Sequence, residues 1–240
     1  MMEAYIITGA SKGIGLALSH VLAEKGHFVF GVARSFPENW PGTKSFVYDL
    51  TESAGIPELM NNILAAVPQD CSKATLINNA GTVAPIGPAG SNPAEEISRS
   101  LVLNLTAPMI LSGAFIEGTA DLSAQKAIIN ISSGAGRTAY EGWSAYCAGK
   151  AGLDHFSRVV QKEYREIKVL SIAPGIIDTA MQEEIRGSSE ADFPLIDNFK
   201  SYKEQGMLST PEETAEKLVR LMEREDFVNL GTITDIRDYQ

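Results

Sequence analysis

The sequence predicts an α/β protein, a doubly wound parallel sheet of seven strands with helices on both faces. Three observations predict it. Short β-rich runs alternate with longer runs of helical period along the chain. Each strand candidate is almost wholly apolar, as expected where both faces of a sheet are covered. A glycine-rich turn joins the first strand to the first helix, at the first crossover of the sheet.

The elements follow in order. AYIIT (4–8) reads as a buried strand, and IGLALSHVLAEKG (14–26) as a helix that stops at Gly26. FVFGVA (28–33) and SFVYDL (45–50) are the second and third strands. SFPENWPGTK between them holds two prolines and predicts a loop. SAGIPELMNNILAAV (53–67) is the next helix, and ATLINNAG (74–81) a strand running into a turn. Two helices, 93–105 and 107–121, lead to strand 126–132, helix 143–166 and strand 168–175. An irregular stretch spans 178–209. Helix 211–224 starts with Thr210 as N-cap, Pro211 in the first turn and Glu213 at the capping-box position. NLGTITDI (229–236) is the last strand.

At 240 residues and 44% apolar, the chain suffices for one core, read as a single domain over 1–240. The net charge of -10 argues against nucleic acid and anionic membranes as partners. The N-terminus lacks a basic segment followed by an apolar run, and no stretch approaches the roughly 20 apolar residues of a membrane span. A cytoplasmic protein is expected. Cys71 and Cys147 are far apart, and His20, His27 and His155 do not cluster, so no metal site is expected.

TGASKGIG (8–15) offers Gly9 for a tight turn, Gly13 for close backbone approach and Gly15 for close helix–sheet packing. The free N–H groups and dipole of the following helix suit a pyrophosphate. This is a Rossmann-type dinucleotide turn of the form G-x-x-x-G-x-G, not a Walker loop, because no G-K-[ST] follows. Where a carboxylate at the end of the second strand would meet a ribose 2′-OH, the chain has Arg34, with Lys12 in the glycine turn. Two cations there suit a 2′-phosphate and predict NADP(H). Asp49 either accepts from the adenine amino group or caps a turn.

WSAYCAGKAG (143–152) places Tyr146 and Lys150 four residues apart, on one face of a helix. An isolated Y-x-x-x-K is common by chance. Here it accompanies TGASKGIG, Asp49, NNAG (78–81), Asn104, NISS (130–133) and PG with a following threonine (174–179). In this order the motifs resemble the short-chain dehydrogenase/reductase family over nearly the whole chain.

The resemblance implies a catalytic set of Asn104, Ser133, Tyr146 and Lys150. Ser132 competes for the serine role, and Ser133 is favoured because it lies 13 residues before the tyrosine. It also implies a cofactor site made by Gly9, Ser11, Lys12, Gly13, Ile14, Gly15, Arg34, Ser35, Asp49, Leu50, Asn79, Ala80, Gly81, Tyr146, Lys150, Pro174, Gly175, Ile177, Thr179 and Met181. Tyr146 would supply the proton in carbonyl reduction, with the Lys150 ammonium lowering its pKa. Ser133 would polarise the carbonyl. Family members commonly pair through helices matching 107–121 and 143–166, which implies a homodimer.

EGWSAYCAGKAGLDHFSRVV, IAPGIIDTAMQ, IRGSSEADFP and ITDIRDY resemble, more narrowly, the bacterial benzil reductases, a group in turn similar to sepiapterin reductases. That implies NADPH-dependent reduction of a small-molecule carbonyl substrate, an aromatic or vicinal dicarbonyl, with Ser133, Tyr146, Trp143 and Asp235 toward the substrate. Asp235 is either a pterin anchor or a tail carboxylate facing water. A pterin-type dicarbonyl reductase and a non-catalytic dinucleotide-binding regulator are the alternatives. The stretch 178–209 is expected to cover the substrate, its apolar residues burying only when ligand is bound.

Overall fold

The computed structural model describes residues 2–239. Seven strands form one parallel sheet: β1 (Ala4–Thr8), β2 (Phe28–Ala33), β3 (Lys44–Val47), β4 (Lys73–Asn78), β5 (Gln125–Ile131), β6 (Ile167–Ala173) and β7 (Ile233–Asp235). Their spatial order is β3-β2-β1-β4-β5-β6-β7. The order reverses between β1 and β4, where Tyr5 is in register with Val29 on one side and Thr75 on the other. A crevice opens outside the carboxyl ends of the strands at such a reversal.

The central strands are covered on both faces, while the edge strand β3 is largely exposed. On one, α2 (Ile56–Leu64), α4 (Ala107–Gly118) and α5 (Ser144–Glu163) bury Ile56, Met60, Leu111, Phe115 and Val160 against Ile6, Leu76 and Ile128. On the other, α1 (Gly13–Glu24) and α8 (Pro211–Met222) bury Leu18, Leu22, Leu218 and Val219 against Tyr5, Ile7 and Ile129. Each such buried side chain contributes about 1.5–3 kcal/mol. Helix α8 starts as the sequence predicts, with Glu213 N–H donating to Thr210 Oγ1 at 3.0 Å and Thr210 N–H to Glu213 Oε2 at 3.0 Å.

Four segments differ from expectation. The third strand ends at Val47, so Asp49 lies beyond it, in a turn. The last strand is only three residues long, flanked by short 3-10 turns. The two helices expected over 93–121 form one continuous run: α3 (Ala94–Leu101), a π-helical turn at Val102–Thr106, and α4. Among the described residues this run, Ala94–Gly118, is long and apolar enough to cross a membrane, contrary to expectation. It is wound around the buried polar Ser100, Asn104 and Ser112, and its apolar Leu111 and Phe115 pack in the core beneath the sheet.

The stretch 178–209 is not irregular. It forms α6 (Ala180–Arg186) and α7 (Ile196–Glu204). Ile185, Phe193, Ile196 and Phe199 are already buried, without a ligand, around Trp143. The expectation that they bury only with a ligand fails because their partner, Trp143, lies some fifty residues earlier in the chain. The two ends of the stretch are tied where Ser209 N–H donates to Ile176 O and Asp178 N–H to Ser209 O, both at 3.0 Å. Asp178 also pairs with Arg186 on α6 and Lys203 on α7.

Candidate active site

A cavity of about 910 Å³ runs along the carboxyl ends of the strands. Gly9, Arg34, Asn79, Ser133, Pro174 and Asp235, which follow or end six different strands, all line it. At one end is the glycine turn. Gly9 and Gly13 have φ of 65° and 54°, in the left-handed region that favours glycine. A Cβ on Gly15 would stand 2.3 Å from the Gly9 carbonyl oxygen, so the first helix reaches the turn only because that side chain is missing.

Helix α1 begins without any side-chain cap, so its first N–H groups face the cavity end unclaimed by protein side chains. The turn is braced from outside. Trp40, from the Pro-rich loop, donates its Nε1–H to Ala10 O at 3.0 Å. Thr8 Oγ1 accepts from the N–H groups of Asn79 and Ala80, at 2.9 and 3.0 Å, closing the gap between β1 and β4. An uncapped helix start, a glycine cradle and a long cavity fit a dinucleotide.

Around this cradle, Ser11, Lys12, Ile14, Leu50, Ala80, Gly81, Gly175, Ile177, Thr179 and Met181 line the cavity, together with Tyr146 and Lys150. Gly15 and Ser35 do not. Gly15 works by packing, and Ser35 is exposed just outside. The Asn79 side chain is spent on the protein, with Nδ2 donating to Thr8 O at 2.9 Å. Asp49 caps its turn: Oδ1 accepts from Thr51 N–H at 3.0 Å and Thr51 Oγ1 at 2.8 Å. The Thr51 N–H, with Arg34 and Arg99 farther out, holds its carboxyl below the ordinary range.

Toward the other end lie the four polar residues expected at the reacting centre. Asn104 sits buried in the π-helical turn, a local widening that recurs at functional sites. Its Nδ2 donates to Thr82 O at 2.8 Å and its Oδ1 accepts from Thr82 N–H at 3.2 Å. Lys150 Nζ donates to Ile131 O at 2.8 Å and lies 5.7 Å from the centroid of the Tyr146 ring. A Cβ on Gly81 would stand 2.8 Å from Asn104 Oδ1 and 3.6 Å from Lys150 Nζ, so these two groups converge over a glycine. Ser133 Oγ accepts from Ala135 N–H at 3.1 Å. Ser132, its rival, has a buried hydroxyl with no protein partner.

Burial pushes the Tyr146 phenol up to about 12, and the Ser133 hydroxyl pulls it the other way. Burial brings the Lys150 ammonium down to about 8, opposed by the Asp154 carboxylate. The expectation that Lys150 lowers the phenol pKa is therefore reversed in the free protein. Lost hydration of the phenolate dominates, and the Lys150 Nζ is engaged with the Ile131 carbonyl. A phenol held neutral is the form that gives up a proton.

Beyond Tyr146 the cavity is aromatic. Trp143 stacks on Phe193, with centroids 4.5 Å apart and an interplanar angle of 10°, and meets Tyr146 and Phe199 edge-on at 5.6 and 5.4 Å. Phe199 and Tyr202, from the stretch expected to cover the substrate, line the cavity. Asp235 lines it too, with both carboxylate oxygens held by Arg237 and its side chain only 13% exposed, so it is not a tail carboxylate facing water.

Residues 3–190 match the short chain dehydrogenase family, and the chain belongs to it. It is an oxidoreductase acting on CH–OH/C=O groups, in a family that uses NAD(P)(H). Among relatives, it is 40% identical over 99% of this chain and 100% of the other to benzil reductase ((S)-benzoin forming) of Bacillus subtilis (strain 168). It is 31% identical to the sepiapterin reductase of Meriones unguiculatus, over 97% of this chain and 95% of that one. The crystal structure of the KRED1-Pglu enzyme superposes with a TM-score of 0.85, at 27% identity, covering 97% of this chain and all 100% of the other.

Proposed function

We propose that the protein is an NADPH-dependent reductase of aromatic vicinal dicarbonyls, of the benzil to (S)-benzoin type. The observation that carries it is the Trp143–Phe193 stack standing edge-on to Tyr146. Trp143, backed by the buried Phe193, and Phe199 make an aromatic wall of the cavity beside the proton donor, where a substrate's rings gain by burial and edge-to-face packing. Full-length similarity to a benzil reductase supports the same class. Arg34 and Lys12 at the cofactor end support NADPH over NADH.

The cradle from Gly9 to Gly15 would hold the pyrophosphate, Arg34 and Lys12 the 2′-phosphate, and Lys150 the nicotinamide ribose. A nicotinamide bound there supplies the hydride. The chain's own residues handle the oxygen. Ser133 donates a hydrogen bond to the carbonyl, and Tyr146, neutral at pH 7, gives its proton to the same oxygen as charge develops. Lys150, one turn along, stabilises the phenolate left behind, and Asn104 holds the Thr82 segment beside Gly81, next to the lysine. The reading includes a single domain acting as a homodimer in the cytoplasm. Met109 on α4 and Val159 on α5 are exposed apolar residues on the two helices expected to pair.

The test is a panel of substrates, benzil and other diketones against sepiapterin, each with NADPH and with NADH. Rapid NADPH oxidation with benzil, yielding (S)-benzoin, is expected. Turnover confined to sepiapterin would transfer the site to pterin-type substrates. Binding of NADPH with no turnover on any carbonyl would favour a regulator.

A further inference from the structure

At the mouth of the cavity, the chain presents a carboxylate and fills it itself. Arg237 Nε donates to Asp235 Oδ1 at 2.8 Å, its Nη2 to Oδ2 at 2.7 Å, and its backbone N–H to Oδ1 at 3.0 Å. The Asp235 side chain is 13% exposed, whereas that of Arg237 is 66% exposed. The pair therefore has a largely covered acceptor and a solvent-facing donor. Both residues line the cavity. The other cation nearby, Arg137, is committed elsewhere, with Nη2 on Thr234 O at 3.4 Å and Nε 3.6 Å from Asp154.

A carboxylate with two free oxygens is complementary to a planar edge bearing paired N–H donors, the fork geometry of a guanidine. Here the guanidine belongs to the chain. It sits two residues away, so its local concentration far exceeds that of any dissolved ligand. A substrate with a guanidine-like edge must displace it before it can use Asp235. A diaryl diketone carries no N–H donor and leaves the pair intact, with the flat outer face of the guanidinium available to a phenyl ring.

We infer that Arg237 is a specificity-determining residue, which occupies Asp235 as a built-in competitor and keeps guanidine-edged carbonyl compounds out of the site. The inference rests on the proposed dicarbonyl reductase reading and refines its substrate class. Its first test is binding, which needs no turnover. 6-Methylpterin, a compound with the guanidine-like edge and no reducible side chain, is titrated calorimetrically into the protein saturated with NADP+. Arg237→Ala and Arg237→Gln are compared with the unmodified protein. Both variants lose the fork, and Arg237→Gln keeps most of the side chain's packing.

At least fivefold tighter binding is expected in both variants, with the gain abolished when Asp235→Asn is added. Tightening below fivefold in both, or a gain that survives Asp235→Asn, overturns the inference. The second readout is the ratio of kcat/KM on sepiapterin to that on benzil, expected to rise at least fivefold in Arg237→Ala. An unchanged ratio counts against it. Benzil turnover by the unmodified protein is scored separately. If it is absent, the proposed substrate falls, and the pterin titration still decides the role of Arg237.

Discussion

Asn104 and Thr82 are joined by two hydrogen bonds, the side-chain amide of one gripping both backbone groups of the other. The pair fastens the chain after β4 to the π-helical turn. Asn104→Asp puts an acceptor where Nδ2 now donates to the Thr82 carbonyl and leaves that buried carbonyl unpaired. A cost of about 1–3 kcal/mol is expected. Urea unfolding should show the midpoint lowered, and kcat should fall as the Thr82 segment loosens beside the lysine. An unchanged midpoint would mean that the grip adds nothing to stability.

Tyr146→Phe keeps the ring packed against Trp143 and removes the proton. Turnover should collapse by a factor of about 100 or more, within the usual range for general acid catalysis. NADPH affinity, measured by fluorescence titration, should change little. Retention of more than a tenth of the activity would reject Tyr146 as the donor.

Lys150 gives a pH dependence of defined sign. Its folded pKa, about 8, lies below the ordinary lysine value of 10.5, so between these values the unfolded chain binds more protons than the native one. Stability from this group therefore rises as pH climbs from 8 toward 10.5, and below 8 the buried charge costs about 3 kcal/mol. Lys150→Met removes that cost. It should be more stable than the unmodified protein at pH 7, with the difference shrinking by pH 10. Activity should fall with rising pH through about 8 as the ammonium is lost. A stability difference that does not change from pH 7 to 10 would contradict a charged, buried Lys150.

Arg34 is exposed at the end of β2, facing the cavity. Arg34→Ala should raise the Michaelis constant for NADPH about tenfold and leave that for NADH nearly unchanged, because only NADPH carries the 2′-phosphate. Equal use of both cofactors by the unmodified protein would remove the basis for this preference.

Phe193 is fully buried and stacked on Trp143. Phe193→Ala opens a cavity under the segment 178–209 and should cost about 3–5 kcal/mol. Hydrogen exchange in that segment should quicken and the KM for benzil should rise. Since the segment is already packed without ligand, NADPH alone should slow its exchange only slightly.

What the sequence determined is what residue type alone dictates over short range. Positive φ at Gly9 and Gly13, and a contact at Gly15 with no room for a Cβ, restrict those positions to glycine, so TGASKGIG announces its turn. Four-residue spacing places Tyr146 and Lys150 on one helix face whatever surrounds them. Near-continuous apolar runs marked the strands, because both sheet faces are covered. The tertiary structure decided the rest through partners far apart in the chain. VLNLT (102–106) is apolar enough for any helical winding, and only the fold shows a π turn there, with Asn104 bonded to Thr82. Phe193 and Phe199 read as residues that a ligand buries, until Trp143 is brought against them. Burial reversed the expected shift of Tyr146, since desolvation is a property of everything packed around a group and not of its neighbour in sequence. Asp235 read as a pterin anchor or a tail carboxylate facing water, because a sequence does not say which way an arginine two residues on will fold back. The short 3-10 turn after β7 settles it, bringing the Arg237 fork onto both oxygens.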